Sequence, residues 1–178
     1  IANGLTLGII ESTRGLKNGD MVEFEDRMLE ATLGPGLLSS SYDGLQNDLT
    51  TMTGVFLQKG EYTSPLNHEK LWDFTPIAKP GDKVVAADWL GEVKEGWLPH
   101  KIMVPFAFKG EYTVKSVAEA GQYNIDKVIA VLTNAEGEDV NVTMWQKWPV
   151  KVAIKGYKDK PRPSKIMETG VRAIDTLN

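Results

Sequence analysis

Phosphate chemistry is the first to test in a chain with 17 glycines. A nucleotide cradle needs a glycine-rich turn followed by Lys-Ser or Lys-Thr, so that backbone N–H groups and one ammonium surround the phosphates. No Gly-Lys-Ser or Gly-Lys-Thr occurs, and Gly34-Pro35-Gly36 and Gly81-Asp82-Lys83 lack both the spacing and the hydroxyl. Metal binding fares no better. His68 and His100 stand 32 residues apart, without cysteine and without an HExxH pattern, which argues against a zinc site. Asp82, Asp88 and Glu92 are the nearest thing to an oxygen cage, but turn formation explains them without an ion. Ser39-Ser40-Ser41 is not on a strand-to-helix elbow and no G-x-S-x-G exists, so no serine nucleophile is marked. No pair of carboxylates is singled out for glycoside chemistry. The reading is therefore that this stretch has no catalytic, cofactor-binding or metal-ligating residue and does no chemistry of its own.

The elements around these residues read as mostly β. Residues 5–11 and 21–24 are strand-like, joined by the turn-rich Arg14–Asp20. So few strands cannot bury both faces alone, and they read as the end of a small β-barrel or sheet whose other strands lie upstream. Beyond Gly34-Pro35-Gly36, the apolar residues Leu38, Tyr42, Leu45 and Leu49 recur at 4, 3 and 4. That period predicts a linking helix over 34–54, although Gly44 inside it costs about 1 kcal/mol relative to alanine. Residues 55–150 alternate apolar and polar in eight short runs: Val55–Leu57, Trp72–Ile77, Lys83–Val85, Leu90–Val93, Ile102–Val104, Tyr112–Val117, Val128–Leu132 and Val140–Trp145. Such runs predict an all-β sandwich or barrel-like sandwich. Phe74, Trp89, Val104, Ile129, Val131 and Trp145 are the expected core, and the five tryptophans are expected to pack rather than stack on a ligand. From Pro149 the chain becomes a proline- and lysine-rich connector, and a helix is expected from Thr169, which would cap it, with Val171, Ile174 and Leu177 on one side.

Composition narrows the class further. Apolar residues make up 42% and charged residues 25% of the 178, which is the balance of a soluble globular protein. The net charge of −4 does not call for nucleic acid or a membrane surface. Its distribution is uneven: residues 151–178 have seven cations against three anions, a basic tail read as a solvated connector. The absence of cysteine removes disulfides and thiolate sites and fits a reducing compartment. No apolar run reaches the roughly 18 residues of a membrane span, and no signal peptide opens the chain. Asn141-Val142-Thr143 is taken as part of a strand rather than as a glycosylation site. The first residue is Ile1, inside a strand-like run, and the last, Asn178, falls partway through a helical pattern; an internal piece of a larger protein is expected.

Two family resemblances emerge. The rhythm of Gly81-Asp82-Lys83-Val84-Val85 through Val93, repeated from Pro105 and Gly110 to Val131, resembles the biotinyl/lipoyl carrier sandwich. That resemblance implies a modified lysine at an exposed hairpin tip. Lys101, in His100-Lys101-Ile102-Met103-Val104-Pro105, is the one candidate acceptor, although its flanks do not match the carrier motif. The second is more specific. Leu33-Gly34-Pro35-Gly36-Leu37-Leu38 followed by Tyr42-Asp43-Gly44-Leu45-Gln46 resembles a signature of the catalytic A subunit of V/A-type rotary ATPases. Lys70–Phe74, Gly81-Asp82, His100–Pro105, Met144–Val150 and Thr169–Asp175 are each similar to a block of that family, in the family's order. Asn47-Asp48, where the family usually has Arg-Pro, Val171, where Gln is usual, and the insertion Val152–Tyr157 depart from it and mark a divergent, bacterial branch.

This resemblance implies a division of the chain: 1–33, the end of the N-terminal β-barrel; 34–54, a helical link; 55–150, the bulge domain; 151–178, a connector and the start of the nucleotide-binding domain. It implies a non-catalytic structural role within a subunit that couples ATP hydrolysis or synthesis to proton or sodium transport. ATP and Mg would belong to the parent, with the P-loop and catalytic glutamate beyond Asn178. The implied partners are the B subunits of the hexameric ring and the peripheral and central stalks, without nucleic acid or membrane insertion, on the cytoplasmic face of the cell membrane. His100, Lys101, Ile102 and Met103 are expected to form a hairpin in the bulge that serves as a contact surface.

Overall fold

The computed structural model describes residues 15, 17–21, 28–52, 62–155, 162–165 and 167–176. The expected strands 5–11 and Val55–Leu57 lie outside these residues. So does most of 21–24, of which Met21 alone is described, in no strand and almost fully exposed.

Two four-stranded antiparallel sheets form the body. The first has the order β5 (Leu98–Met103), β4 (Trp89–Glu95), β2 (Trp72–Pro76) and β7 (Gly121–Tyr123). The second has the order β3 (Lys83–Val84), β6 (Tyr112–Val117), β8 (Ala130–Thr133) and β9 (Asp139–Val142). A two-stranded ribbon, β1 (Glu30–Leu33) with β10 (Gln146–Pro149), brings the chain's approach to the sandwich beside its exit. The architecture is thus mainly β, as the alternation predicts, with inward side chains from both sheets making one core.

That core joins Phe74, Leu90, Val93, Ile102 and Val104 of the first sheet and its flanks to Val84, Val114, Leu132 and Val142 of the second, with Ile125 and Ile129 from the turn before β8. Phe74, Val104 and Ile129 are buried as expected. Trp89 is not: it is 53% exposed, and Leu90 is fully buried in its place. A β-bulge is the reason. Trp89 pairs with Met103 and Gly91 with Ile102, so Leu90 is the extra residue and the alternation slips by one. Val131 is only half-buried for a simpler reason: β8 alternates regularly with Ala130 and Leu132 inward, and Ile129 is buried from the turn before the strand rather than as part of that alternation. Trp145 is half-buried, at the margin of the core. Gly91 is required: a Cβ there would stand 2.3 Å from the Phe74 ring and 2.9 Å from the carbonyl of Thr75.

The linking helix does not form. Among the described residues 34–52 the backbone is a series of turns with one isolated bridge, Tyr42 to Asp48. Ser39 and Gln46 adopt φ of 64° and 66°, which a right-handed helix excludes. Leu38, Leu45 and Leu49 are each more than 40% exposed, so the 4-3-4 spacing marks no buried stripe. The Asp43 side chain accepts the N–H of Leu45 and of Asn47 locally and competes with helical hydrogen bonds, while the Asn47 side chain is taken by the distant Thr63 N–H. At the far end a single turn of helix, α1 (Arg172–Thr176), is present. Thr169 lies three residues before it and, with Gly170, bonds forward to the Asp175 carboxylate, while its hydroxyl accepts the Val171 N–H. Val171 and Ile174 are about half exposed.

Candidate functional site

The two sequence blocks 33–38 and 42–46 meet the sandwich side by side. Gly34 packs so closely that a Cβ would lie 2.8 Å from Cβ of Trp145 and 3.0 Å from Leu66. Pro35 is fully buried, and Gly36 takes φ of 113°, a conformation that favours glycine. The loop thereby turns its amides toward one buried side chain, Glu95, at the end of β4. Glu95 Oε1 accepts the N–H of Gly36 at 2.7 Å and of Leu38 at 3.0 Å, and Oε2 lies 2.7 Å from Nδ1 of His100. Glu95 is only 5% exposed, and a buried carboxylate is tolerated when hydrogen bonds replace its water. The hairpin supplies the geometry: Glu95 pairs with Leu98 and Val93 with His100, so Glu95 and His100 are diagonal neighbours.

The second block is held by its own set of polar contacts. Asp43 accepts the N–H of Leu45 and of Asn47 on Oδ1 and the Asn47 side-chain amide on Oδ2. The Asn47 side-chain bond, then its backbone N–H, holds the Asp43 carboxyl below the usual carboxylate range. Gln46 lies flat against β1: its Oε1 accepts the Thr32 N–H and its Nε2 donates to the Thr32 carbonyl, both at 2.7 Å. One side chain thus satisfies that edge as a neighbouring strand would. Asn47, buried, accepts the Thr63 N–H, Asp48 N–H donates to Thr63 Oγ1, and the Tyr42 hydroxyl donates to the Pro65 carbonyl at 2.8 Å. Asn47 therefore has a defined task at one of the positions that depart from the family pattern.

The residues singled out for chemistry are placed elsewhere. Lys101 lies in the middle of β5, ion-paired with Glu92 and over the Trp89 ring at 4.9 Å. The tip of the β4–β5 hairpin is Gly96-Trp97, with Trp97 87% exposed. The carrier reading is thus corrected, because its acceptor lysine belongs at a tip and this one is strapped down in a strand. For the same reason His100–Met103 forms one strand of the hairpin and not the hairpin itself. The Asp82 and Asp88 carboxylates accept the N–H of Lys79 and Val85, closing turns. No group of three or more potential metal ligands occurs among the described residues. A hollow of about 810 Å³, lined by Ile77, Val84, Trp89, Met103, Phe106 and Ile154 among others, lies on the sandwich face.

One array was not legible in the sequence. Ser64 Oγ lies 3.2 Å from Nε2 of His68, and Nδ1 of His68 lies 2.8 Å from Asp126, whose other oxygen accepts the Trp145 indole N–H. The order hydroxyl, imidazole, carboxylate is that of nucleophilic catalysis. The Ser64 hydroxyl, however, also lies 2.9 Å from the Leu66 carbonyl and accepts the Leu66 N–H at 3.4 Å, which engages it in its own turn. The array acts as a staple between the 62–70 segment and the turn at Asp126. The His68 hydrogen bond, followed by that of Trp145, holds the Asp126 carboxyl below its usual range.

Comparison with known proteins agrees with this picture. Residues 63–151, half of the chain, match the family described as the ATP synthase alpha/beta subunit barrel-sandwich domain. The chain is 45% identical over 178 residues to the V-type ATP synthase alpha chain of Borreliella burgdorferi, covering 98% of this chain and 31% of that one. It is 44% identical over 179 residues to the protein of that name from Protochlamydia amoebophila (99% and 30%) and 44% identical over 174 residues to that from Treponema denticola (96% and 30%). The chain thus spans about three tenths of the length of these curated relatives. With a sandwich core, a family match over that core and similarity that extends through the docked 33–48 segment, this chain belongs to the ATP synthase alpha/beta barrel-sandwich family.

Proposed function

We propose that this chain is the non-catalytic sandwich segment of the alpha (A) subunit of a V-type ATP synthase, and that the parent subunit couples ATP hydrolysis or synthesis to proton or sodium transport. The observation that supports this reading is the identity of 44–48% with V-type ATP synthase alpha chains across at least 95% of the chain. ATP and Mg are assigned to the parent, where catalysis rests on positioning phosphates and stabilising charge. The division proposed is 1–33 for the end of a β-barrel, 34–54 for a link without the helix, 55–150 for the bulge domain and 151–178 for the connector and the opening of the nucleotide-binding domain. B subunits of a hexameric ring and the stalk subunits are the proposed partners, at the cytoplasmic face of the cell membrane. No helix among the described residues is long and apolar enough to cross a membrane.

The test is a chimaera in which this chain replaces the matching segment of the Borreliella burgdorferi alpha chain. The reading expects an assembled complex that hydrolyses Mg-ATP. A chimaeric subunit that folds and binds nucleotide but never enters the complex would overturn it. Calorimetric titration of the 178-residue chain with Mg-ATP is expected to give no binding heat.

A further inference from the structure

Gly36 and Leu38 present two amide hydrogens in a turn where neither meets a strand partner, and both converge on one oxygen of a side chain 57 to 59 residues away. The same carboxylate reaches back along its own hairpin to His100. Its location is telling. Three residues before Gly36 is the end of β1, whose partner β10 leads the chain out of the sandwich. The Glu95 contact is therefore placed where the approach to the sandwich is oriented.

We propose that Glu95 is a positioning residue: it sets the path of the Gly34–Leu38 loop, and through it the attitude of the β1–β10 ribbon on the sandwich. It does so as an acceptor of the right length rather than as a negative charge. Three observations favour length over charge. Both N–H donors are neutral backbone groups on a single oxygen. The second oxygen faces an imidazole, which supplies a donor or an acceptor according to its tautomer. No lysine or arginine ion pair to Glu95 is present among the described residues. A glutamine has the reach, an oxygen for the two amides and an NH₂ for His100. An aspartate falls short by one methylene. The consequence for a rotary complex rests on the reading of the parent given above, but the positioning role itself does not.

The experiment is residue-resolved amide hydrogen exchange on the 178-residue chain and its Glu95→Gln, Glu95→Asp and Glu95→Ala variants, with the β8 amides of Ala130 and Leu132 as reference. Losing an acceptor at a part-buried, hydrogen-bonded amide is expected to speed exchange by at least about tenfold, whereas a neutral acceptor of equal reach retains most of the protection. Gly36 and Leu38 are thus expected to exchange at least about tenfold faster in Glu95→Asp and Glu95→Ala, and within about threefold of the parent rate in Glu95→Gln. Should alanine unfold the whole chain, seen as lost protection in β8, the aspartate and glutamine variants still decide. Equal acceleration in Gln and Asp would overturn the proposal in favour of charge. Unchanged exchange in both Asp and Ala would overturn it outright. A chimaera that fails to assemble while these two amides remain protected would count against the ring reading alone.

Discussion

The sandwich and the loop docked on it are held by different forces, although they share a boundary. Inside the sandwich, Phe74, Leu90, Val93, Val114 and Leu132 are essentially free of solvent, and stability there follows from apolar area and close packing. From Gly34 to Asp48 the chain has two exposed leucines, Leu38 and Leu45, and is fixed instead by side chains bonded to backbone: Glu95 on Gly36 and Leu38, Gln46 on Thr32, Asn47 on Thr63 and Tyr42 on Pro65. An apolar core tolerates exchange of one hydrocarbon for another of similar volume. A loop held by directional bonds tolerates little change of length or of donor and acceptor.

That contrast can be broken at several points. The largest effect is expected from Phe74→Ala, which empties the space against Gly91 and Tyr123 and should cost about 3–5 kcal/mol in chemical denaturation. A cost below about 1 kcal/mol would show that the core is not centred there. Next comes Gly34→Ala. The added methyl meets Trp145 Cβ at 2.8 Å, and overpacking of this kind costs about 1–3 kcal/mol; tryptophan fluorescence should register the shift of Trp145 along with the lower midpoint. Gln46→Leu keeps the bulk and removes both bonds to Thr32, with an expected loss of about 1–2 kcal/mol. In the same variant the Thr32 amide should lose exchange protection while the β8 amides keep theirs, and equal loss at both sites would refute the separation of the two regions.

The smallest effect concerns acid. Asp126 is held below its ordinary range in the folded chain by His68 and Trp145. Its contribution is therefore present above the unfolded carboxylate value of about 4 and fades as pH falls through the lower folded value. Asp126→Asn should flatten the acid limb of a stability-against-pH curve while leaving the Gly36 and Leu38 amides protected. Because the carboxylate is about half exposed, the change should be slight. An acid limb unaltered by the substitution would remove Asp126 from the account.

Much of the sandwich was legible because a strand with one buried face writes that face into every second residue. The runs Trp72–Ile77 and Tyr112–Val117 read correctly for this reason, the first strand ending one residue earlier, at Pro76. Trp89 misled because a bulge adds one residue to one strand, and nothing local distinguishes that slip from regular pairing. Leu38, Tyr42, Leu45 and Leu49 misled in another way: their spacing suits a helix, but local side-chain bonds decided the backbone. The motif glycines were visible as a resemblance, while their reason was not, since it lies in Trp145 and Glu95, far along the chain.

The amino-acid sequence by itself determined the β class, the family and the want of a phosphate cradle, because these rest on periodicity, residue type and order within short windows. Only the tertiary structure decided that Glu95 faces Gly36 and Leu38, that Lys101 is paired within a strand, and that Ser64, His68 and Asp126 converge. Glu95 with Gly36 and Leu38, and His68 with Asp126, join residues 57 to 59 apart along the chain, while Lys101 meets Glu92 across one hairpin, and the folding of those hairpins sets which of them meet.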